Sequence, residues 1–296
     1  MRFRSRIADC FPVATRGQGG TPNPTLADSR GANGASLGRT SAARRLGLSL
    51  CWLGLLGHAC PLVAQQDPDA PRVLAFYSTD GEGDHTDFAL QAVPFFREVA
   101  KRGHFSFEAT TRWEDLNPDN LKRQRVVLWL NDSAHTPSQR AAFEAFMEHG
   151  GAWLGFHFAG YTDGGTHWPW YVAFLGGGQY SGNNWPPLPA VLSVDGTQSP
   201  VTRHLPSRYL APANEWYSWS PDPRLNPHVR VLLTLDPSNF PLGFKDTIQS
   251  GDVPVVWTNL GYRMIYMNMG HGDRIFDDAS QNLMFEDALL WLLSGR

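Results

Sequence analysis

The sequence predicts an α/β fold: a parallel sheet with helices on both faces. Two observations predict it. RVLAFYS (72–78), RVVLWLND (125–132) and AWLGFHF (152–158) are continuous apolar runs of strand length, the pattern of strands covered on both sides. Between them lie segments of helical periodicity joined by short loops, the alternation expected of βα units. With 296 residues, 42% of them hydrophobic, there is enough apolar material for one large core.

The elements follow in order. RVLAFYS leads into the loop TDGEGDHT, after which Ala92, Phe95, Phe96 and Val99 fall at i, i+3, i+4 and i+7, a helical face ending at Gly103. Pro94 predicts a kink or a late start in that helix. FSFEATT (105–111) alternates as a strand. After RVVLWLND, Thr136-Pro137-Ser138-Gln139 forms a capping box with proline at the first helical position. Ala142, Phe143, Phe146 and Met147 line the helix that follows, and Gly150-Gly151 stops it before AWLGFHF. Beyond residue 160, THWPWYVAFLGGGQYSGNNWPPLP mixes a short helix with loops. AVLSVD (190–195), VRVLLTLD (229–236), VPVVWTN (253–259) and YRMIYMNMG (262–270) read as strands, and QNLMFEDALLWLL (281–293) as a closing amphipathic helix. With no repeat and no interior linker, residues 70–296 read as one domain.

The amino-terminal part reads differently. Residues 1–40 are rich in Gly, Ser, Thr, Arg and Pro without apolar periodicity, a disordered composition. Then come Arg44-Arg45, an apolar stretch from Leu46 to Ala59, and Leu62-Val63-Ala64, the basic, apolar and small-residue order of a signal peptide. The apolar stretch is short for a membrane span. Residues 1–64 are therefore expected to be a disordered extension and signal peptide cut after Ala64. The mature chain would be periplasmic or secreted, with no stable membrane span. The three cysteines, Cys10, Cys51 and Cys60, all precede the domain, which excludes disulfides, thiolate zinc sites and cysteine nucleophiles from it. A net charge of −3 with no basic stripe argues against a nucleic-acid partner.

In parallel sheets, ligands sit beyond the carboxyl ends of the strands. Those ends carry the loop with His85, then Asn131-Asp132, then His157, while NMGHGD (268–273) places His271 after another apolar strand. ANEWYSW (213–219) adds Glu215 among aromatic rings, a setting that raises a carboxyl pKa and suits a general acid. His157, Glu215, His271 and His85 are thus the catalytic candidates, expected to converge in one pocket. Three imidazoles with a carboxylate suit acid–base chemistry. They equally suit a divalent transition metal held by His85, His157 and His271. Asp84, Asp87 and Asp273 flank the histidines and could orient them. Aromatics make up 12% of the chain, including 11 tryptophans, a supply that serves either sugar stacking or core filling. Trp168, Trp170, Trp216, Tyr217 and Asn131 are the expected substrate-binding residues. Gly155-x-His157-x-Ala159 has the spacing of a nucleophile elbow, but its central residue has neither hydroxyl nor thiol, which disfavours a serine hydrolase.

At these residues the chain resembles the trehalose-utilisation, ThuA-like family over most of residues 72–295. The resemblance is carried by His85, GGAWLGFHFAG, HWPWYVAFLGG, NEWYSW, PVVWTN, YRMIYMNMGHGD and the final ALLWLL. It implies a three-layer flavodoxin-like sandwich with a mostly parallel central sheet, like that of class I glutamine amidotransferases. It also implies that His157 stands where amidotransferases keep their cysteine; with no cysteine in the domain, amidotransferase activity itself is argued against. By resemblance the role is in carbohydrate catabolism: an enzyme acting on a small carbohydrate, a glycoside or keto-sugar, or alternatively a carbohydrate-binding protein on the same fold. Two positions depart from the family pattern. Asn214 stands for its usual Asp, and Asn183 or Asn184 for its usual His.

Overall fold

The apolar runs assemble into one nine-stranded sheet in the computed structural model, which describes residues 70–195 and 198–295. The extension and signal peptide expected at 1–64 lie outside the described residues. In chain order the elements are β1 (Arg72–Phe76), α1 (Gly83–Gly103), β2 (Ser106–Thr110), α2 (Pro118–Leu121), β3 (Val126–Trp129), α3 (Pro137–Glu148), β4 (Ala152–Phe156), α4 (Pro169–Phe174), β5 (Gln179–Asn183), β6 (Leu188–Val194), β7 (Arg208–Asn214), β8 (Tyr217–Ser220), β9 (Val229–Leu235), β10 (Pro254–Asn259), β11 (Arg263–Met267) and α5 (Ala279–Leu293). Among the described residues no helix is long and apolar enough to cross a membrane.

The strand order is β2-β1-β3-β4-β11-β10-β9-β6-β7. Neighbours from β2 to β11 are parallel. Neighbours from β11 to β7 are antiparallel, so the sheet is mixed. The change of sense at β11 has a simple cause. Only residues 260–262 join β10 to β11, too few for the crossover that a parallel pair requires. Period-2 alternation then divides the core. Val73 and Ala75 pack with Phe88, Ala92 and Phe96 of α1 and with Met284 and Phe285 of α5. Leu74 and Phe76 pack on the other face with Ala142 and Phe143 of α3 and Tyr171 and Phe174 of α4.

Three local expectations change. First, α1 starts at Gly83, inside the segment expected to be loop, because the Glu82 carboxylate caps it by accepting the His85 N–H at 3.0 Å. His85 is therefore in the first helical turn, and Pro94 sits inside the helix. Second, β7 was not foreseen. It contains Pro212 and lies at the sheet edge, where a missing N–H is tolerated. Third, β5, inside the stretch expected to mix a short helix with loops, pairs with β8 into a separate two-stranded ribbon. Its strand QYSGN has no apolar run to announce it. The capping box at Thr136 and Gln139 forms as read.

Candidate functional site

His157 is the first residue after β4 and has a left-handed φ of 41°, a conformation unfavourable for a residue with a Cβ. The surroundings hold it there. Its Nδ1 lies 2.8 Å from the Asn268 carbonyl oxygen, and the Tyr266 hydroxyl donates to its own carbonyl at 2.9 Å. Because a carbonyl only accepts, Nδ1 carries the proton and Nε2 the lone pair. The ring stacks on Tyr217 at 4.0 Å between centroids. Behind it Gly270, at φ 147°, leaves the space that a Cβ would occupy 2.6 Å from the His157 Cβ.

The other candidates arrive from three further elements. His85 comes from the first turn of α1. The Asn131 amide ties that turn to the end of β1, donating to the His85 and Ser78 carbonyls at 3.2 and 2.8 Å and accepting the Ser78 N–H at 2.9 Å. His271 lies in the loop after β11, where the Asn214 Oδ1 accepts the N–H groups of Gly270 and His271 at 3.1 and 3.0 Å. Glu215 sits between β7 and β8, and its Oε1 accepts from the Asn183 Nδ2 at 2.5 Å. Asn183 is itself bonded by the Tyr180 hydroxyl.

The four side chains meet: one nitrogen from each of His85, His157 and His271 and one Glu215 oxygen all lie within 4.8 Å of one another. The Glu215 Oε2 is 3.4 Å from the His157 Nε2 and 3.6 Å from the His271 Nε2. The His85 ring centroid lies 5.0 Å from each of the other two. All three imidazoles are buried, His157 completely.

Burial dominates the electrostatics. It pushes His85 down to about 3, helped by the facing rings of His157 and His271, and holds His157 well below the usual histidine range. Burial raises the Glu215 carboxyl above its ordinary range, opposed by His271. Burial would also raise Glu82, but the N–H groups of His85 and Asp84 hold its carboxyl below the usual value. At neutral pH His85 and His157 are therefore uncharged, with Nε2 of each buried and unpartnered, as is the Nδ1 of His271.

Not every expected residue comes to this cluster. Trp168 is core: it stacks on Tyr171 at 4.5 Å and its Nε1 donates to Glu144 at 2.5 Å. Trp170 stacks on Phe174 and meets Tyr262, next to the amino end of β11, while His271 follows the carboxyl end. Trp216 is fully buried, its Nε1 donating to the Leu188 carbonyl at 2.9 Å. Trp168 and Trp216 are thus buried among neighbouring side chains, and the half-buried Trp170 stands at the other end of β11 from His271, so none of the three joins the cluster. Asn131 is likewise occupied by backbone groups. Tyr217 is at the cluster, but beneath His157. Of the flanking aspartates, Asp84 approaches a ring, its Oδ2 being 3.5 Å from the His271 Nδ1. Among the described residues, no ion pair joins Asp87 or Asp273 to the cluster.

The residues missed are Trp185, 37% exposed and edge-on to His271 at 6.3 Å, and Phe158, 5.1 Å from His85. Tyr180 and the support of Glu215 by Asn183 were also missed. The one available signal was positional: the resemblance places either Asn183 or Asn184 where the family usually has a histidine, without deciding between them.

The family model described as ThuA, trehalose utilisation, matches residues 72–292. A ThuA-like protein from Bacteroides uniformis is 47% identical, with a TM-score of 0.74 over 77% of this chain and 94% of that one. A ThuA-like protein from Parabacteroides merdae is 14% identical, with a TM-score of 0.54 over 76% and 90% of the two chains, a likeness of fold alone. No curated protein matches the chain.

Proposed function

The chain belongs to the trehalose-utilisation (ThuA) family, and from that premise we propose that it is an exported enzyme of carbohydrate catabolism, acting on a glycoside or keto-sugar. The observation that carries this reading is the meeting of three buried imidazoles and a carboxylate, donor atoms within 4.8 Å, beyond the carboxyl ends of β4 and β11. Glu215 is the proton-transfer group. Burial moves its carboxyl toward neutrality, as a group that both gives and takes a proton requires. The neutral imidazoles face the reacting atoms, and Trp185 offers the exposed ring on which a sugar stacks. The fold is read as a three-layer flavodoxin-like sandwich of the class I glutamine amidotransferase type. His157, left-handed at the end of a strand, then occupies an elbow without a nucleophile.

The test is turnover of disaccharides and their keto derivatives by the purified protein, followed by product analysis. Conversion that disappears in Glu215→Gln supports the reading. A sugar that raises the Tm of the protein yet is never converted makes this a carbohydrate-binding protein and overturns the enzyme. Export rests on Arg44-Arg45, the apolar 46–59 stretch and Ala64. An intact mass starting at Gln65 or Gln66 supports it; a full-length mass, or a lipid on Cys60, overturns it.

A further inference from the structure

The geometry points to a divalent transition-metal site in which His85, His157 and His271 each give one nitrogen and Glu215 the fourth donor. The inference rests on the reading of this cluster as the reacting site and says what occupies it.

Four observations carry it. The first is distance. An ion about 2.0–2.1 Å from four tetrahedral donors sets those donors about 3.3–3.4 Å apart. The Glu215 Oε2 lies 3.4 Å from the His157 Nε2 and 3.6 Å from the His271 Nε2, and all four donors lie within 4.8 Å. Drawing the set onto one centre therefore needs only small side-chain movements.

The second is the tautomer. The His157 Nδ1 donates to the Asn268 carbonyl at 2.8 Å, while Asp84 stands 3.5 Å from the His271 Nδ1 and Glu82 3.8 Å from the His85 Nδ1 without a hydrogen bond, so the tautomer is fixed for His157 alone. An acceptor behind one ring nitrogen leaves the lone pair on the other, which is how proteins orient imidazoles toward a metal.

The third is dissatisfaction. The Nε2 atoms of His85 and His157 are buried with no hydrogen-bond partner, and a buried polar atom left in that state costs about 1–3 kcal/mol. Two such atoms beside a carboxylate are explained by a common ligand. The fourth is charge. The cluster gathers Glu215, with Glu82 and Asp84 close to the rings, and the nearest basic nitrogens to these carboxylates are those of the histidines, 3.4–3.8 Å away. A cation at the centre neutralises that charge without protonating the buried rings.

Imidazole and carboxylate donors together select the zinc, cobalt, iron or manganese class over magnesium or calcium. Glu215 is the ligand that a sugar oxygen can replace, because it is the one least enclosed, with 15% of its side chain exposed, and once displaced from the ion its carboxylate is free to exchange a proton.

The experiment uses the purified chain, stripped with a chelator and titrated with Co(II) and, separately, Zn(II) and Mn(II). One equivalent is expected to bind, with Co(II) giving the visible absorption of a four-coordinate site. His157→Ala and Glu215→Gln are each expected to weaken Co(II) binding at least tenfold. Glu215→Gln is close in shape to the native residue, so its circular dichroism checks that the fold survives. A folded chain that takes up none of the three ions near one equivalent overturns the inference, as does binding that neither variant changes. The two readings fail separately. Sugar turnover by the stripped, metal-free protein sinks the metal and leaves the enzyme. Tight Co(II) binding with no sugar converted supports the metal and sinks the enzyme.

Discussion

The two halves of the sheet contribute different things to the site. The parallel half, β2-β1-β3-β4-β11, delivers the imidazoles, because His157 and His271 follow the carboxyl ends of neighbouring strands and His85 opens the helix after β1. The antiparallel half and the β5–β8 ribbon deliver what surrounds them: Glu215, Asn183, Tyr217, Asn214 and Trp185. In the first half, strand topology brings the three histidines to one edge, and hydrogen bonds such as that from the Asn131 amide to the His85 carbonyl then fix them. In the second, long-range hydrogen bonds from amide side chains set them. Asn268 shows the join, its amide pairing with the Tyr217 N–H and carbonyl at 3.0 and 2.8 Å while its own carbonyl holds His157.

The largest effect should come from the second half acting on the chemistry of the first. Glu215→Gln keeps shape but cannot exchange a proton, so kcat/KM on a converted sugar should fall about 10²–10⁴-fold. Tm should stay within a few degrees. A fall of under tenfold would mean that the imidazoles work without the carboxylate.

Next comes a contrast between two tryptophans. Trp168→Ala empties a packed core site and should cost about 3–5 kcal/mol in denaturant unfolding, with sugar binding unchanged. Trp185→Ala should do the reverse, weakening sugar binding roughly tenfold with less than about 1 kcal/mol of stability lost. Exchanged outcomes would restore Trp168 as a substrate wall.

Asn214→Ala removes the acceptor for two N–H groups of the His271 loop and the donor to the Glu215 and Asn268 carbonyls. A loss of about 2–3 kcal/mol is expected, together with faster hydrogen exchange at Gly270 and His271. Unchanged exchange there would show that the loop is held by the parallel half alone.

The smallest effect is on pH dependence. Burial holds the folded His85 at about 3, below the ordinary histidine value of 6.5, so between those values the unfolded chain binds more protons. In the presence of chelator, stability should fall as pH drops through this window, at up to about 1.4 kcal/mol per pH unit for each such histidine. His85→Asn should flatten the curve. An identical slope in the variant would assign the acid sensitivity elsewhere.

Much of this molecule can be read without coordinates. The apolar runs of β1, β3, β4 and β11, the capping box of α3 and the closing helix are local patterns, and local patterns survive folding. So does the placement of three histidines just past apolar runs. Four things needed the tertiary structure. An apolar run says that a strand is buried but not which way it runs, so the antiparallel sense of β6, β9 and β10 was invisible. Periodicity cannot tell a tryptophan that fills a core from one that lines a mouth, since both are flanked by aromatic and small residues; Trp168, Trp170 and Trp216 went one way and Trp185 the other. The α1 cap came from Glu82, a residue outside the usual capping set, which moved His85 from loop to helix. Glu215 reaches the histidines through amide bonds to residues 32 and more positions away, across a ribbon with no hydrophobic pattern, and hydrogen bonds of that range leave no period in a sequence.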